Sequence, residues 1–229
     1  NAKCLLISKS KGPALKTLKL IRGIINRVEF LKHLRPGPGN FDKANMFEVK
    51  GAAESRTPSL EALGIESQLP GTRAGRILAD DIETEDNSRT PDSRDVLWEK
   101  ANELWRIATY GEQRINIVGT FQCTDTVYKK LRNKMDVAFR TWPLIYPPAD
   151  KTVMCLSPKV QARLDSGENK PNEIVADYRY DEEYVNEQKK WGLTSFGNHY
   201  QMYETLGDRS EYRLRLADLI VHPVDNDIA

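Results

Sequence analysis

The sequence predicts an α/β protein built on a mostly parallel sheet, and three observations lead there. Short apolar runs of strand length recur at Cys4–Ser8, Leu60–Ile65, Arg76–Ala79 and Ile115–Val118. Segments with helical spacing separate them, and Gly/Pro-rich breakers mark the joints. Strands alternating with helices argue for parallel pairing, with helices covering both faces of the sheet.

In chain order, Cys4-Leu-Leu-Ile-Ser8 is the first strand, bounded by lysines. Pro13 suits the first turn of the following helix, where its missing N–H costs nothing. Ala14, Leu18, Ile21, Ile25, Val28 and Leu31 then recur at helical spacing, with Lys16, Lys19, Arg22 and Arg27 between them. Arg35-Pro-Gly-Pro-Gly-Asn40 breaks the chain, and strands are expected at Met46–Val49 and Leu60–Ile65. Arg76-Ile-Leu-Ala79 leads straight into Asp80-Asp81, and an amphipathic helix is expected from Pro91 to Tyr110. The strand Ile115–Val118 ends at Gly119-Thr120, a helix is expected over Val127–Lys134, and a last strand over Val137–Trp142. Beyond Trp142, prolines 143, 147, 148 and 158 punctuate a loop-rich stretch with helices near 158–165, 181–191 and 196–204. The expected organisation is one α/β domain over residues 1–150 and a helical linker over 151–229.

The 229 residues are 39% hydrophobic, enough for a core, and contain no apolar run long enough to span a bilayer. The formal charge of +1 excludes a uniformly basic nucleic-acid coat, but the average hides a contrast. Residues 1–50 carry eleven Lys/Arg against three Asp/Glu, a net of +8; residues 51–100 carry six against eleven, a net of −5. The basic quarter reads as a solvated helix face or as a surface for phosphate backbones. Three cysteines without CxxC spacing suit a reducing compartment, and three dispersed histidines give no zinc pattern. The chain starts at Asn1, directly before a strand, and reads as an internal piece of something longer.

Three segments point to chemistry. An apolar strand ending in Asp80-Asp81, with Glu83 close behind, places carboxylates where parallel sheets bind ligands. One acid there can hold the water shell of Mg²⁺, and its neighbour can orient or deprotonate an attacking water. Gly119-Thr120 presents a hydroxyl at a second strand tip, and Arg73 precedes the acidic strand. Each alone reads more readily as a turn or a loop residue. Their order along the chain joins them. No GxSxG, HExxH or Cys/His pairing is present.

The run ending Leu69-Pro-Gly-Thr-Arg-Ala-Gly-Arg-Ile-Leu-Ala-Asp-Asp-Ile-Glu83 resembles the Walker B region of phage terminase large subunits, in particular the DNA maturase B type of short-tailed phages. Similar stretches follow the family's order at Leu5–Lys11, Ile117–Gln122, Thr141–Pro147, Phe196–Met202 and Tyr212–Val221. The resemblance implies a RecA-like, additional-strand P-loop NTPase domain using ATP and Mg²⁺, followed by an endonuclease domain. It implies a viral genome-packaging motor in the host cytoplasm. Its partners are double-stranded DNA, a small terminase subunit and the portal of a procapsid, and it assembles as a homo-oligomeric ring off the membrane. By position, Asp80 resembles the Mg²⁺-holding Walker B aspartate, and Asp81 or Glu83 the catalytic acid. Gly119 and Thr120 resemble the coupling motif, and Arg73 a phosphate sensor acting in cis or from a neighbouring subunit. The sequence departs from the family in lacking GxxxxGK[ST], the Walker A loop, and the nuclease carboxylates. The chain alone is therefore expected to be inactive. Two other readings stand beside this one: a non-catalytic DNA-binding or assembly module, and a helicase-like ATPase.

Overall fold

A computed structural model describes residues 3–203 except 54, 56, 70 and 112. The chain forms two compact units that divide between Ala138 and Phe139, ahead of the expected boundary at 150.

The first unit is a six-stranded sheet: β1 (Cys4–Ser8), β2 (Asp42–Lys43), β3 (Met46–Phe47), β4 (Leu60–Gly64), β5 (Arg76–Asp80) and β6 (Arg114–Val118). Their order is β2-β3-β4-β1-β5-β6. The four long strands are parallel, while the short β2 and β3 pair antiparallel at one edge. A mixed α/β unit on a mostly parallel sheet is the class the sequence predicts, and it is compatible with a RecA-like NTPase fold.

Helix α1 (Lys11–Arg27) carries the chain from β1 towards β4. The short α2 (Glu85–Ser88) and long α3 (Pro91–Ile107) carry it from β5 to β6, on the other side of β1. Right-handed crossovers leaving in opposite directions place α1 and α3 on opposite faces of the sheet. The strand order thus reverses between β1 and β5, and ligand crevices form outside the carboxyl ends of strands at such a point. Ser8 and Asp80 lie side by side there.

Burial explains why these segments fold as they do. Ala14, Leu18 and Ile25 of α1 close over Leu6 of β1, Ala62 of β4 and Phe47 of β3. Leu78 lies in register with Leu6, and Val118 with Asp80, on the same face by strand alternation. Yet Leu78 is 40% exposed and Val118 57%. Helix α1 therefore seals only the β4–β1 half of that face. Among the described residues β6 pairs on one side only.

Several boundaries differ from expectation. Helix α1 stops at Arg27, and Val28 turns extended before a 3₁₀ turn over Glu29–Leu34. Helix α3 stops at Ile107 because Ala108 forms a parallel bridge with Ala74. Periodicity missed α2, although Thr84 and Thr90 each build a capping box ahead of their helices. The strand expected over Val137–Trp142 is not formed. Thr141 makes a single bridge to Leu156, and the boundary between the units runs through the segment.

The second unit holds α5 (Pro158–Asp165), α6 (Glu182–Lys189) and α7 (Leu193–Phe196), which runs into a π-helical turn over Gly197–Gln201; α4 (Val127–Lys134) belongs to the first unit. Leu144, Ile145, Val185 and Phe196 form its core, and isolated bridges such as Ile145–Ile174 replace a sheet. The matched stretch Tyr212–Val221 lies outside the described residues. Among the described residues no helix is long and apolar enough to cross a membrane.

Candidate functional site at the strand tips

The carboxyl ends of β5 and β6 form one platform. Asp80 pairs with Val118, and the Asp81 amide donates to the Val118 carbonyl at 2.9 Å, so the pairing continues one residue past β5. This holds Asp80-Asp81 directly beside Gly119-Thr120. Asp81 adopts φ 47°, a left-handed conformation that Asp tolerates better than most residues. The chain turns sharply there, leaving Asp81 exposed while Ile82 and Glu83 return to the interior.

The acids differ in their surroundings. Partial burial and the neighbouring Asp80 charge raise the Asp81 carboxyl above the ordinary aspartate value, and Lys9 just after β1 opposes the shift. A carboxylate pushed up by a like charge gains from any cation placed between them. Glu83 is 2% exposed and its oxygens are already committed. The Gln122 amide donates to Oε1 at 3.0 Å and the Thr126 hydroxyl to the same atom at 2.7 Å; the Val127 amide donates to Oε2 at 2.6 Å. Burial nevertheless raises its carboxyl, with those three donors and Arg94 pulling the other way. Glu83 is thus a carboxylate set at the N-terminus of α4, where the helix dipole favours negative charge. It fastens the loop after β5 to the loop after β6.

The other predicted residues fall in different places. Thr120 is exposed, and its hydroxyl accepts a bond from Gln122 Nε2 at 3.0 Å. Gly119 is required by packing: a Cβ there would lie 2.0 Å from the Tyr128 hydroxyl oxygen. Arg73 precedes the amino end of β5 and donates to the neighbouring Thr72 carbonyl. The five-residue strand, rising about 3.3 Å per residue, separates it from the acids at the other end. Within one chain the structure does not bring Arg73 to them. In the basic quarter, Lys16 and Lys19 are exposed, whereas Arg22 is engaged with Asp42 and the Met46 carbonyl and braces the β2–β3 hairpin. Sequence reasoning passed over Lys9 and Tyr128. Lys9 follows a predicted strand and could have been flagged by that position; Tyr128 gave no signal in the pattern of its helix.

Among the described residues no three His, Cys, Asp or Glu side chains converge as a metal cage. The pair at the β5 tip fits Mg²⁺ instead, since that ion keeps several waters and needs only one or two protein carboxylates beside phosphate oxygens.

The fold and site define an open, mostly parallel α/β sheet with paired acids at its topological switch point. No family model matches the sequence. A curated protein does: the terminase large subunit of Enterobacteria phage T3 is 31% identical over 233 aligned residues, covering 97% of this chain. The chain is thus similar to part of a phage terminase large subunit. It spans 39% of the length of the relative it matches.

Proposed function

We propose that this chain is part of an ATP-driven motor that packages double-stranded DNA into phage procapsids. The observation that carries the reading is the joined β5–β6 tip, with Asp80-Asp81 held against Gly119-Thr120 by the Asp81–Val118 backbone bond. The relative's name supplies the biological setting, and the chemistry follows from the tip. Asp80, at the end of β5, would hold the water shell of Mg²⁺, which when bound neutralises phosphate charge. Asp81 is the exposed acid with a raised pKa, suited to orient and deprotonate an attacking water. Glu83 has no oxygen to spare for that role and acts by positioning. Thr120, exposed at the tip of β6, would with Gly119 transmit the state of the nucleotide to DNA.

The phosphate-cradling loop that the family implies would come from further polypeptide. The side of β6 that is unpaired among the described residues, with the bare Val118 and Leu78 beside it, offers room for another strand and its helix. Lys16 and Lys19 offer a phosphate-backbone contact, and Arg73 an acceptor-sensing role towards a neighbouring subunit of a ring. DNA cleavage is assigned to residues outside this chain, and the small subunit and portal are the proposed assembly partners.

The test is ATP turnover by the complete packaging subunit containing this chain, with Mg²⁺ and DNA. Asp80→Asn should reduce turnover by about a hundredfold or more while the melting temperature stays within a few degrees of wild type. Wild-type turnover in Asp80→Asn would favour a non-catalytic DNA-binding or assembly module.

A further inference from the structure

The turn after β1 carries two lysines, and they face different neighbours. Ser8 pairs with Gly64 of β4 on one side and with Asp80 of β5 on the other, so Lys9 follows β1 at the level where Asp81 follows β5. Neighbouring strands lie about 4.8 Å apart, a gap that a lysine stem spans. The Lys9 charge opposes the rise of the Asp81 carboxyl, whereas Lys11 acts on Glu61 of β4. Lys9 is exposed and, among the described residues, closes no ion pair or hydrogen bond. Its backbone is fixed all the same. The Ile65 amide donates to the Ser8 carbonyl at 2.8 Å, and a Cβ on Gly64 would lie 2.8 Å from the Lys11 nitrogen, so β4 presses directly against the turn.

Other cations of this unit are engaged elsewhere. Arg73 lies beyond the amino end of β5, Lys3 pairs with Glu48, and Arg94 holds Asp125 and the Ser88 carbonyl. Lys9 stands at the carboxyl ends beside the acids with its charge uncommitted. The two carboxylates of Asp80 and Asp81 match the charge of one Mg²⁺, so phosphate oxygens facing them would keep their own negative charge. A lysine is a compact point charge with three donors on a flexible stem, suited to an anion that arrives and leaves. As a link to Asp81 alone it would add little, because exposed ion pairs contribute little to stability.

We propose that Lys9 binds the terminal phosphate of the nucleotide, its ammonium joining that phosphate to the Asp80-Asp81 tip across the crevice between β1 and β5. This rests on the nucleotide reading of the site given above, and it supplies a cation from the same chain where Arg73 does not reach. The contact distinguishes a triphosphate from a diphosphate.

The experiment compares Lys9→Met with Asp80→Asn in the complete packaging subunit. Lys9→Met should melt within a few degrees of wild type, because the side chain is exposed. Calorimetry with Mg²⁺ and a non-hydrolysable ATP analogue should show about tenfold weaker binding, while ADP binds within about twofold of wild type. The kcat/KM for ATP should fall about tenfold or more. Wild-type kcat/KM and analogue affinity in Lys9→Met beside an inactive Asp80→Asn overturn the Lys9 role and leave the site standing. Wild-type turnover in both variants overturns the nucleotide reading and this inference with it. Slower turnover with an unchanged preference for the triphosphate over the diphosphate assigns Lys9 to tuning Asp81 and also overturns the proposal.

Discussion

Asp81 and Glu83 are two residues apart, yet they occupy opposite regions of the strand tip. Asp81 stands on the rim, exposed, in a left-handed turn, with a like charge beside it. Glu83 lies at the root, sealed and bonded to three donors from the loop that follows β6 and the start of α4. The contrast teaches that carboxylate chemistry at a strand end is divided by burial. A group whose acceptors are filled can hold geometry, while one with open acceptors and an unfavourable charge can meet a ligand. The sequence leaves the two interchangeable; the structure gives each a separate environment.

The comparison can be broken or sharpened by substitution. The largest effect is expected at the root. Glu83→Ala leaves the Gln122 and Val127 amides and the Thr126 hydroxyl without their acceptor in the interior, and should cost about 3 kcal/mol in urea unfolding. A loss no greater than that of an ordinary surface substitution would show that the two loops are fastened by something else. Next comes Gly119→Ala, whose new methyl group would meet the Tyr128 ring and hydroxyl, with expected destabilisation of about 1–3 kcal/mol. Combining it with Tyr128→Ala should recover part of that loss relative to the sum of the two single changes, because the obstruction is gone.

The smallest effect lies on the rim and appears as a pH dependence. The Asp81 carboxyl is raised in the folded state, so the folded protein binds more protons than the unfolded chain in the window just above 3.8. Stability must therefore fall as pH rises through that window. Glu83 is raised too, and adds a decline of the same sign above 4.5. Asp81→Asn should flatten the part due to Asp81 and leave the protein at least as stable as wild type at neutral pH. Denaturation midpoints measured across acid to neutral pH would show it; an unchanged slope in Asp81→Asn would mean the rim acid is not perturbed.

Much of the first unit was legible in the sequence because β1 is buried and β4 and β5 are buried in part, and they are therefore largely apolar. Cys4–Ser8 and Val127–Lys134 are read with their observed limits, and the helix expected over Pro91–Tyr110 is present but ends at Ile107. Two-residue strands such as Asp42–Lys43 leave no periodic trace, since they are defined by pairing with Met46–Phe47 rather than by a buried face. Val137–Trp142 misled for the converse reason: alternating apolar residues suit a strand, but no strand runs beside them among the described residues. At the site, the neighbourhood of Asp80-Asp81 and Gly119-Thr120 could be inferred because both end apolar strands of one sheet. The commitment of Glu83 could not, because its three partners lie about forty residues further along the chain, in the loop after β6 and at the first residue of α4. Arg73 was placed near the acids by sequence distance, whereas an intervening straight strand carries it to the far end.

The free flank of β6 has a practical consequence. Among the described residues β6 pairs on one side only, with exposed Val118 at its end, and an uncovered strand edge of that kind can take up another extended chain. Prepared alone, the polypeptide should stick to copies of itself through this border, and its solubility would depend on supplying the rightful neighbour during synthesis rather than afterwards.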